Sequence, residues 1–338
     1  MRATNWLGDA VMSLPAIRAI RSILPHAHLA VLARPSVADL YARERSIDRV
    51  LLYPAQKGFL SRRNFSTSVG HQRFDAAILL QNAFDAALIT WLARIPERIG
   101  YDRDARGLLL TQAIPVPEPG DIPRHERFYY LELLRRAGML ERLPADDAIR
   151  LDGIDEARQA GTSHLASLGI HEPAIGVSPG AAYGNAKRWL PDRFAETAAQ
   201  LDRPVLIFGS RDERALCDTV AEAIRHAGRD VRNLAGETTL REFIDLTAAC
   251  SLMLTNDSGA MHIASALAVP TVAVFGATDD TTTGPTGPLS RVVREHAECS
   301  PCLLRECPID HRCMTRVTAG HVVAAAGQLL AWTPETRS

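Results

Sequence analysis

Asp257, Ser258, Gly259, Ala260 and His262 stand between an apolar run at 252–254 and the residues Ile263, Ala264 and Leu267 at helical spacing. That pattern reads as a buried strand, a turn and a helix. Asp257 or Ser258 can cap the helix. Gly259 lets backbone approach a ligand closely, and free amides at a helix start attract phosphate. His262 falls about one turn in, on the face that looks back at the opening. An ordinary capped turn would carry the same residues, so this stretch alone leaves both readings open.

Two other stretches offer compatible chemistry. Ser178-Pro179-Gly180-Ala181-Ala182-Tyr183-Gly184-Asn185-Ala186-Lys187-Arg188-Trp189 is a glycine-bearing loop that ends in cations before a helix near Pro191. Such a loop could cradle phosphates, with Lys187 as a point charge. It lacks the Gly-Lys-Ser/Thr of a Walker A motif. The chain also has no Gly-x-Gly-x-x-Gly, which argues against a nicotinamide or flavin enzyme. Glu213 follows a strand at 205–209, where an acid could hold a ribose or simply serve the first turn of a helix. Asp9, after Gly8, opens a helix with Val11, Leu14, Ile17, Ile20 and Leu24 on its apolar face. It is either an N-terminal helix acid or a general base.

Cations cluster at Lys57, Arg62 and Arg63, in a stretch read as a loop, and again at Arg94, Arg98, Arg103 and Arg106. They are solvated surface, or they receive an anionic acceptor, since guanidinium forks suit phosphate and carboxylate. Strands at 29–33, 50–53, 75–80, 174–177, 205–209, 231–234, 252–254 and 271–275 alternate with helices. The alternation implies parallel, doubly wound sheets. Only about four residues precede the Gly8 loop, short of a usual strand. Either that strand is stunted or the true start lies upstream. A polar passage near 142–172 separates the halves, giving domains at 1–160 and 170–320. A final helix and tail at 321–338 could cross back to the first domain.

With 338 residues and 46% hydrophobic content, the chain can fill two cores. Its formal net charge of -1 gives no global field to recruit nucleic acid. No run is apolar enough for a transmembrane helix, and Asn5, Gly8 and Asp9 interrupt any signal peptide. The expectation is a cytoplasmic protein with reduced cysteines. Cys299, Cys302, Cys307 and Cys313, near His311, could hold zinc. Their spacing is not that of a common zinc module, and Pro301 and Pro308 suit a cysteine-rich surface loop.

Three motifs together resemble the ADP-heptose:lipopolysaccharide heptosyltransferases of glycosyltransferase family 9, and most of all their type II branch. They are Asn5-Trp6-Leu7-Gly8-Asp9-Ala10-Val11-Met12, Pro179-Gly180-Ala181 with Lys187-Arg188-Trp189, and Asn256-Asp257-Ser258-Gly259-Ala260-Met261-His262. The resemblance implies a GT-B fold, two Rossmann-like doubly wound domains facing across a cleft, with acceptor on the first and donor on the second. It implies Asp9 as general base and Lys187 on the donor phosphate. Glu213 would meet the adenosine ribose and Thr238 the adenine. Asp257, Ser258, Gly259, Ala260 and His262 would hold the heptose and diphosphate, beside the Ser178 and Gly180 loop. Lys57, Arg62, Arg63, Arg98 and Arg103 would face a lipopolysaccharide core acceptor at the cytoplasmic face of the inner membrane, with peripheral contact only. The substrate is then ADP-heptose and no cofactor is required. The alternatives within this reading are a type I enzyme, another ADP-sugar transferase, or a non-catalytic nucleotide-sugar-binding protein.

Overall fold

Unbroken apolar runs such as 205–207 and 252–254 require burial on both faces, which parallel strands under helices provide. The computed structural model describes residues 1–54, 58–144 and 148–331 and has that architecture. Its internal packing divides the chain into two units, Met1–Asp146 and Asp147–Ser338.

In the first unit, helices α1 (Leu7–Met12) and α2 (Leu14–Ile23) precede β1 (Ala30–Ala33), α3 (Pro35–Tyr41) and β2 (Arg49–Leu52). Then come α4 (Gly58–Gly70), β3 (Ala76–Leu79), α5 (Phe84–Leu92), β4 (Glu97–Tyr101), β5 (Gln112–Ile114) and α6 (Arg127–Arg136). Strands β2 and β1 pair in parallel, as do β3, β4 and β5. Arg2 joins the two sets, bridging Leu32 on one side and Leu79 on the other. The Arg2 N–H donates to Ile78 O at 2.9 Å, and its carbonyl accepts from Leu80 N at 3.1 Å.

The basic stretch expected as a loop is helical from Gly58 onward, in α4. Phe65 and Val69, one turn apart and beyond the cations, explain this: Val69 is buried, and Phe65 packs its ring 5.3 Å from that of Tyr53. Lys57 lies outside the described residues. Arg98, grouped with Arg103 as one basic stretch, instead lies within β4.

The second unit runs α7 (Ile154–Ser167), β6 (Ile175–Ser178), α8 (Pro191–Gln200), β7 (Val205–Ile207), α9 (Arg214–His226), β8 (Val231–Asn233) and α10 (Leu240–Ala249). It continues through β9 (Leu252–Asn256), α11 (Gly259–Ala266), β10 (Thr271–Val274), α12 (Asp280–Thr283), β11 (Ser290–Val293), α13 (Arg312–Thr315) and α14 (Ala319–Leu330). The sheet order is β11-β10-β9-β6-β7-β8, all parallel. Phe194 of α8, Val220 of α9 and Val322 and Leu329 of α14 share a core with Val177, Leu254 and Val272. Met261 of α11 meets Ala273 and Phe275, on the opposite face because side chains alternate along a strand. The last helix thus lies against α8, β10 and β11 of its own unit.

From β6 the chain winds outward through β7 and β8, and from β9 it winds the other way through β10 and β11. The β6–β9 boundary is a topological switch point, where the carboxyl ends of strands leave a crevice for ligand. In the first unit Arg2 holds the corresponding place between β1 and β3.

Candidate active site

The loops leaving β6 and β9 converge at that switch point. Asn256, fully buried at the end of β9, ties them together. Its Nδ2 donates to the carbonyls of Pro179 (2.8 Å) and Gly180 (3.3 Å), and its Oδ1 accepts from Trp189 N at 2.9 Å. Trp189 is itself anchored through Nε1 to Val317 O at 3.0 Å and edge-on to Phe194. With both ends of the loop held, Lys187 reaches across it. Its Nζ donates to Asp257 Oδ2 at 2.6 Å and sits 5.2 Å from the centre of the Tyr183 ring.

Ser258 takes the N-cap position of α11 without capping it through its side chain. Its hydroxyl pairs with Thr255 Oγ1 at 3.1 Å, and Asp257 is engaged by Lys187. Gly259 and Ala260 therefore open the helix, and His262 is buried in its first turn.

Glu213 ends a single 3-10 turn after β7. Its carboxylate accepts from Ser210 N (2.9 Å) and Oγ (3.0 Å), and the Arg188 guanidinium lies 4.0 Å away. The helix-start role is thus present. Gly180 abuts the same carboxylate, so closely that a Cβ there would overlap it. Ser178 closes β6, and Thr238 is half-buried in the loop after β8, beside the α10 cap Thr239. The structure accordingly brings Ser178, Gly180, Lys187, Glu213, Thr238 and the 257–262 turn to one edge of one sheet.

Asp9 lies in the first turn of α1, half-buried. Its charge is felt by Glu126, Tyr41 and Tyr130. Desolvation, then Asp9, pushes the Glu126 carboxyl up from its ordinary value. Burial chiefly raises both tyrosines. Tyr41 in turn shares hydrogens with Ser13 (3.3 Å) and Thr4 (3.5 Å).

The expected cations separate. Arg62 donates to Asp85 Oδ1 at 2.6 Å, and Tyr53 donates to the other oxygen of that carboxylate. Asp85 opens α5, directly after β3, so Arg62 reaches the carboxyl edge of the first sheet. Arg63 is exposed on α4. Arg103 follows β4, exposed, and bonds the Tyr129 hydroxyl. Arg98 is not brought to that edge. It sits near the start of β4, its guanidinium on the carbonyls of Ile95 (2.5 Å), Leu109 (2.7 Å) and Pro96 (3.2 Å).

Arg106, equally basic in sequence, is fully buried. It donates to Tyr101 O at 2.8 Å, to Gln81 O and to Asn82 Oδ1 at 3.2 Å, and burial pulls its pKa down to about 10. It locks the loops after β3 and β4. Nothing in its residue type distinguished it from Arg103.

Cys299 is exposed, Cys302 and Cys307 half-buried and Cys313 buried. Burial, then the three other thiols, raises the Cys313 pKa. Among the described residues no group of His, Cys, Asp or Glu is placed to hold a metal ion. The segment instead braces the lysine loop. Tyr183 donates to Leu303 O (3.2 Å), Arg305 to Tyr183 O (2.9 Å), Cys307 N to Asn185 Oδ1 (3.2 Å) and Ala186 N to Arg305 O (3.1 Å). No helix among the described residues is long and apolar enough to cross a membrane.

The chain is similar to known proteins over most of its length. The family model of glycosyltransferase family 9 (heptosyltransferase) matches residues 62–312. Lipopolysaccharide heptosyltransferase 2 of Escherichia coli K12 is 33% identical over 300 residues, covering 86% of each chain. Lipooligosaccharide heptosyltransferase 2 of Haemophilus influenzae is 30% identical over 309 residues, again 86% of each. The solved structure of ADP-heptose lipopolysaccharide heptosyltransferase II from E. coli superposes with a TM-score of 0.83 at 29% identity, over 97% of both chains.

Proposed function

The chain belongs to glycosyltransferase family 9, the heptosyltransferases, with their GT-B fold, and from this we propose how it works. It is a heptosyltransferase II, an inverting enzyme that moves L-glycero-D-manno-heptose from ADP-heptose to the heptose-primed inner core of lipopolysaccharide. The observation that carries the site assignment is the Lys187–Asp257 pair beside the uncapped start of α11, at a switch point.

Glycosyl transfer asks three things of a protein. The acceptor hydroxyl must lose a proton, the anomeric carbon must gain positive character, and the diphosphate must leave with its new charge. Asp9 of the first unit is the general base. Lys187 and the first amides of α11 meet the developing charge on the leaving oxygen. Glu213 holds the ribose and Thr238 lies against the adenine, while Asp257 and His262 orient the heptose. The cation needed by the leaving group is thus a side chain, and no cofactor is assigned to the reaction. Arg62, Arg63, Arg103 and Lys57 receive the anionic core, with the protein resting on the inner membrane surface without insertion. Arg98 is engaged with backbone and belongs to the fold of the first unit in this reading.

The deciding experiment offers ADP-heptose with Kdo2-lipid A, with and without its first heptose, in the presence of EDTA. Transfer only to the primed acceptor is expected. Transfer to the unprimed one would assign type I, and binding without transfer to either would leave a nucleotide-sugar-binding protein. Two variants probe the assignments separately. In Gly180→Ala the new methyl must drive the Glu213 carboxylate away from its place beside the loop. Losing the ribose contact of that carboxylate, on the scale of one hydrogen bond to a charged group at roughly 1.5–3 kcal/mol, should weaken ADP binding about tenfold, and the overpacking itself should lower stability by about 1–3 kcal/mol. Calorimetric titration checks this, and unaltered ADP affinity would remove Glu213 from the donor site. Changing Arg62 and Arg63 together to alanine should raise the acceptor KM about tenfold and weaken vesicle association, since two solvent-facing ion pairs contribute roughly 0.2–1 kcal/mol each. An unchanged acceptor KM would return both residues to ordinary surface.

A further inference from the structure

Asp257 has a second partner that the donor reading does not use. Thr278 lies beyond the carboxyl end of β10, the strand beside β9. Its Oγ1 donates to Asp257 Oδ2 at 2.6 Å, the same oxygen that accepts from Lys187 Nζ at 2.6 Å. All three side chains are removed from water: Thr278 is 8% exposed, Asp257 5% and the Lys187 side chain 15%. The backbone leading to Thr278 is held on both sides. Ser300 Oγ donates to Gly276 O at 2.6 Å, and Leu303 N donates to Ala277 O at 2.8 Å. The hydroxyl is therefore presented by a fixed segment, and it points at the carboxylate that the lysine must share.

We propose that Thr278 is a positioning residue for the donor diphosphate, acting through Asp257 on Lys187. The proposal rests on the donor-site reading above. Without donor, Lys187 is neutralised by Asp257. When a diphosphate arrives, the ammonium has to turn part of its charge toward phosphate oxygens, and the buried carboxylate loses part of its compensation. An uncompensated buried charge is strongly disfavoured. The Thr278 hydrogen bond satisfies the carboxylate through that exchange and keeps its oxygen where the lysine can leave and return. Remove the hydroxyl, and Asp257 holds its lysine more exclusively against the incoming phosphate.

The test compares Thr278→Val, which keeps the shape and loses the hydroxyl, with Thr278→Ser, which keeps the hydroxyl. In Val the donor KM and the ADP dissociation constant are expected to rise about tenfold, the scale of one hydrogen bond to a charged group. The acceptor KM should stay within about twofold and Ser should recover most of the loss, because only the hydrogen bond has changed. A Val variant that binds ADP as wild type does would overturn the proposal. So would equal losses in Val and Ser, or a fall in kcat with ADP binding intact. A wild-type chain that bound no ADP would instead overturn the donor-site reading, and this proposal with it.

Discussion

Asp9→Ala should lose about 10³-fold in kcat, within the 10²–10⁴ that a positioned general base supplies, while ADP binds as before. The separation follows from where the groups are. Asp9 sits on α1 in the first unit, whereas Lys187, Glu213 and the 257–262 turn all belong to the second. Its surroundings also predict the behaviour of closer substitutions. Tyr41 and Tyr130 are buried beside it and cannot ionise near neutral pH to take its place. Burial, and then the charge of Asp9, pushes the Glu126 carboxyl up from its ordinary value. Asp9→Asn, which keeps shape and loses basicity, should therefore be as inactive as the alanine variant. Asp9→Glu, with the carboxylate displaced by one methylene, should regain part of the rate. Single-turnover transfer with ADP binding measured alongside decides the matter. An alanine variant within about tenfold of wild type would be outside the range of a lost general base and would exclude Asp9 from that role.

The sequence shows Asp9, Lys187 and Asp257 as charged residues in loops or at helix starts, whereas the buried places of Thr278 and Arg106 are not visible in it, for a physical reason. A loop at a switch point announces itself through local rules. Strand residues stop, a glycine or small residue permits close backbone approach, a charged residue follows and a helix period begins. Residues 178–191 follow that order, 5–12 its glycine, acid and helix, and 252–267 carry the same parts with the acid ahead of the glycine. Thr278 meets Asp257 across a separation of 21 residues, and only the pairing of β10 with β9 joins them. A threonine at the end of a strand is ordinary by type. Arg98 and Arg103 show the converse. They are near neighbours in sequence, yet one lies at the start of β4 and the other past its end, and a strand separates its two ends by about 3.3 Å per residue. The strand was missed because Glu97 and Arg98 mask its short apolar part, Ile99 to Tyr101. The helical course of α4 was missed for a similar reason: the two core-facing residues, Phe65 and Val69, come after the charges that dominated the reading.

The second large effect is expected at Lys187, and its interest lies in what two readouts do together. Lys187→Ala removes the cation from the leaving diphosphate, and losing one such electrostatic partner costs about 10²–10³ in kcat. It also leaves Asp257, 5% exposed, without its ion partner. Breaking a buried pair on one side costs about 3–5 kcal/mol. The Thr278 hydrogen bond still satisfies one carboxylate oxygen, so the lower end of that range is expected here. Lys187→Ala should therefore be both inactive and less stable. Asp257→Ala added to it removes the stranded charge, and stability should return toward wild type while activity does not. Because Asp257 also orients the heptose, that divergence assigns the pair, and not Lys187 alone, to the reaction rather than to holding the loops. If the pair existed only to hold the two loops together, activity and stability would recover or fail in step. Lys187→Arg should restore the rate only in part, since a planar fork does not reproduce the point contact of the ammonium with Asp257 at 2.6 Å. Urea melts and steady-state rates of the four proteins of the cycle provide the measurement. Recovery of turnover in the double variant would show that the diphosphate leaves without help from Lys187.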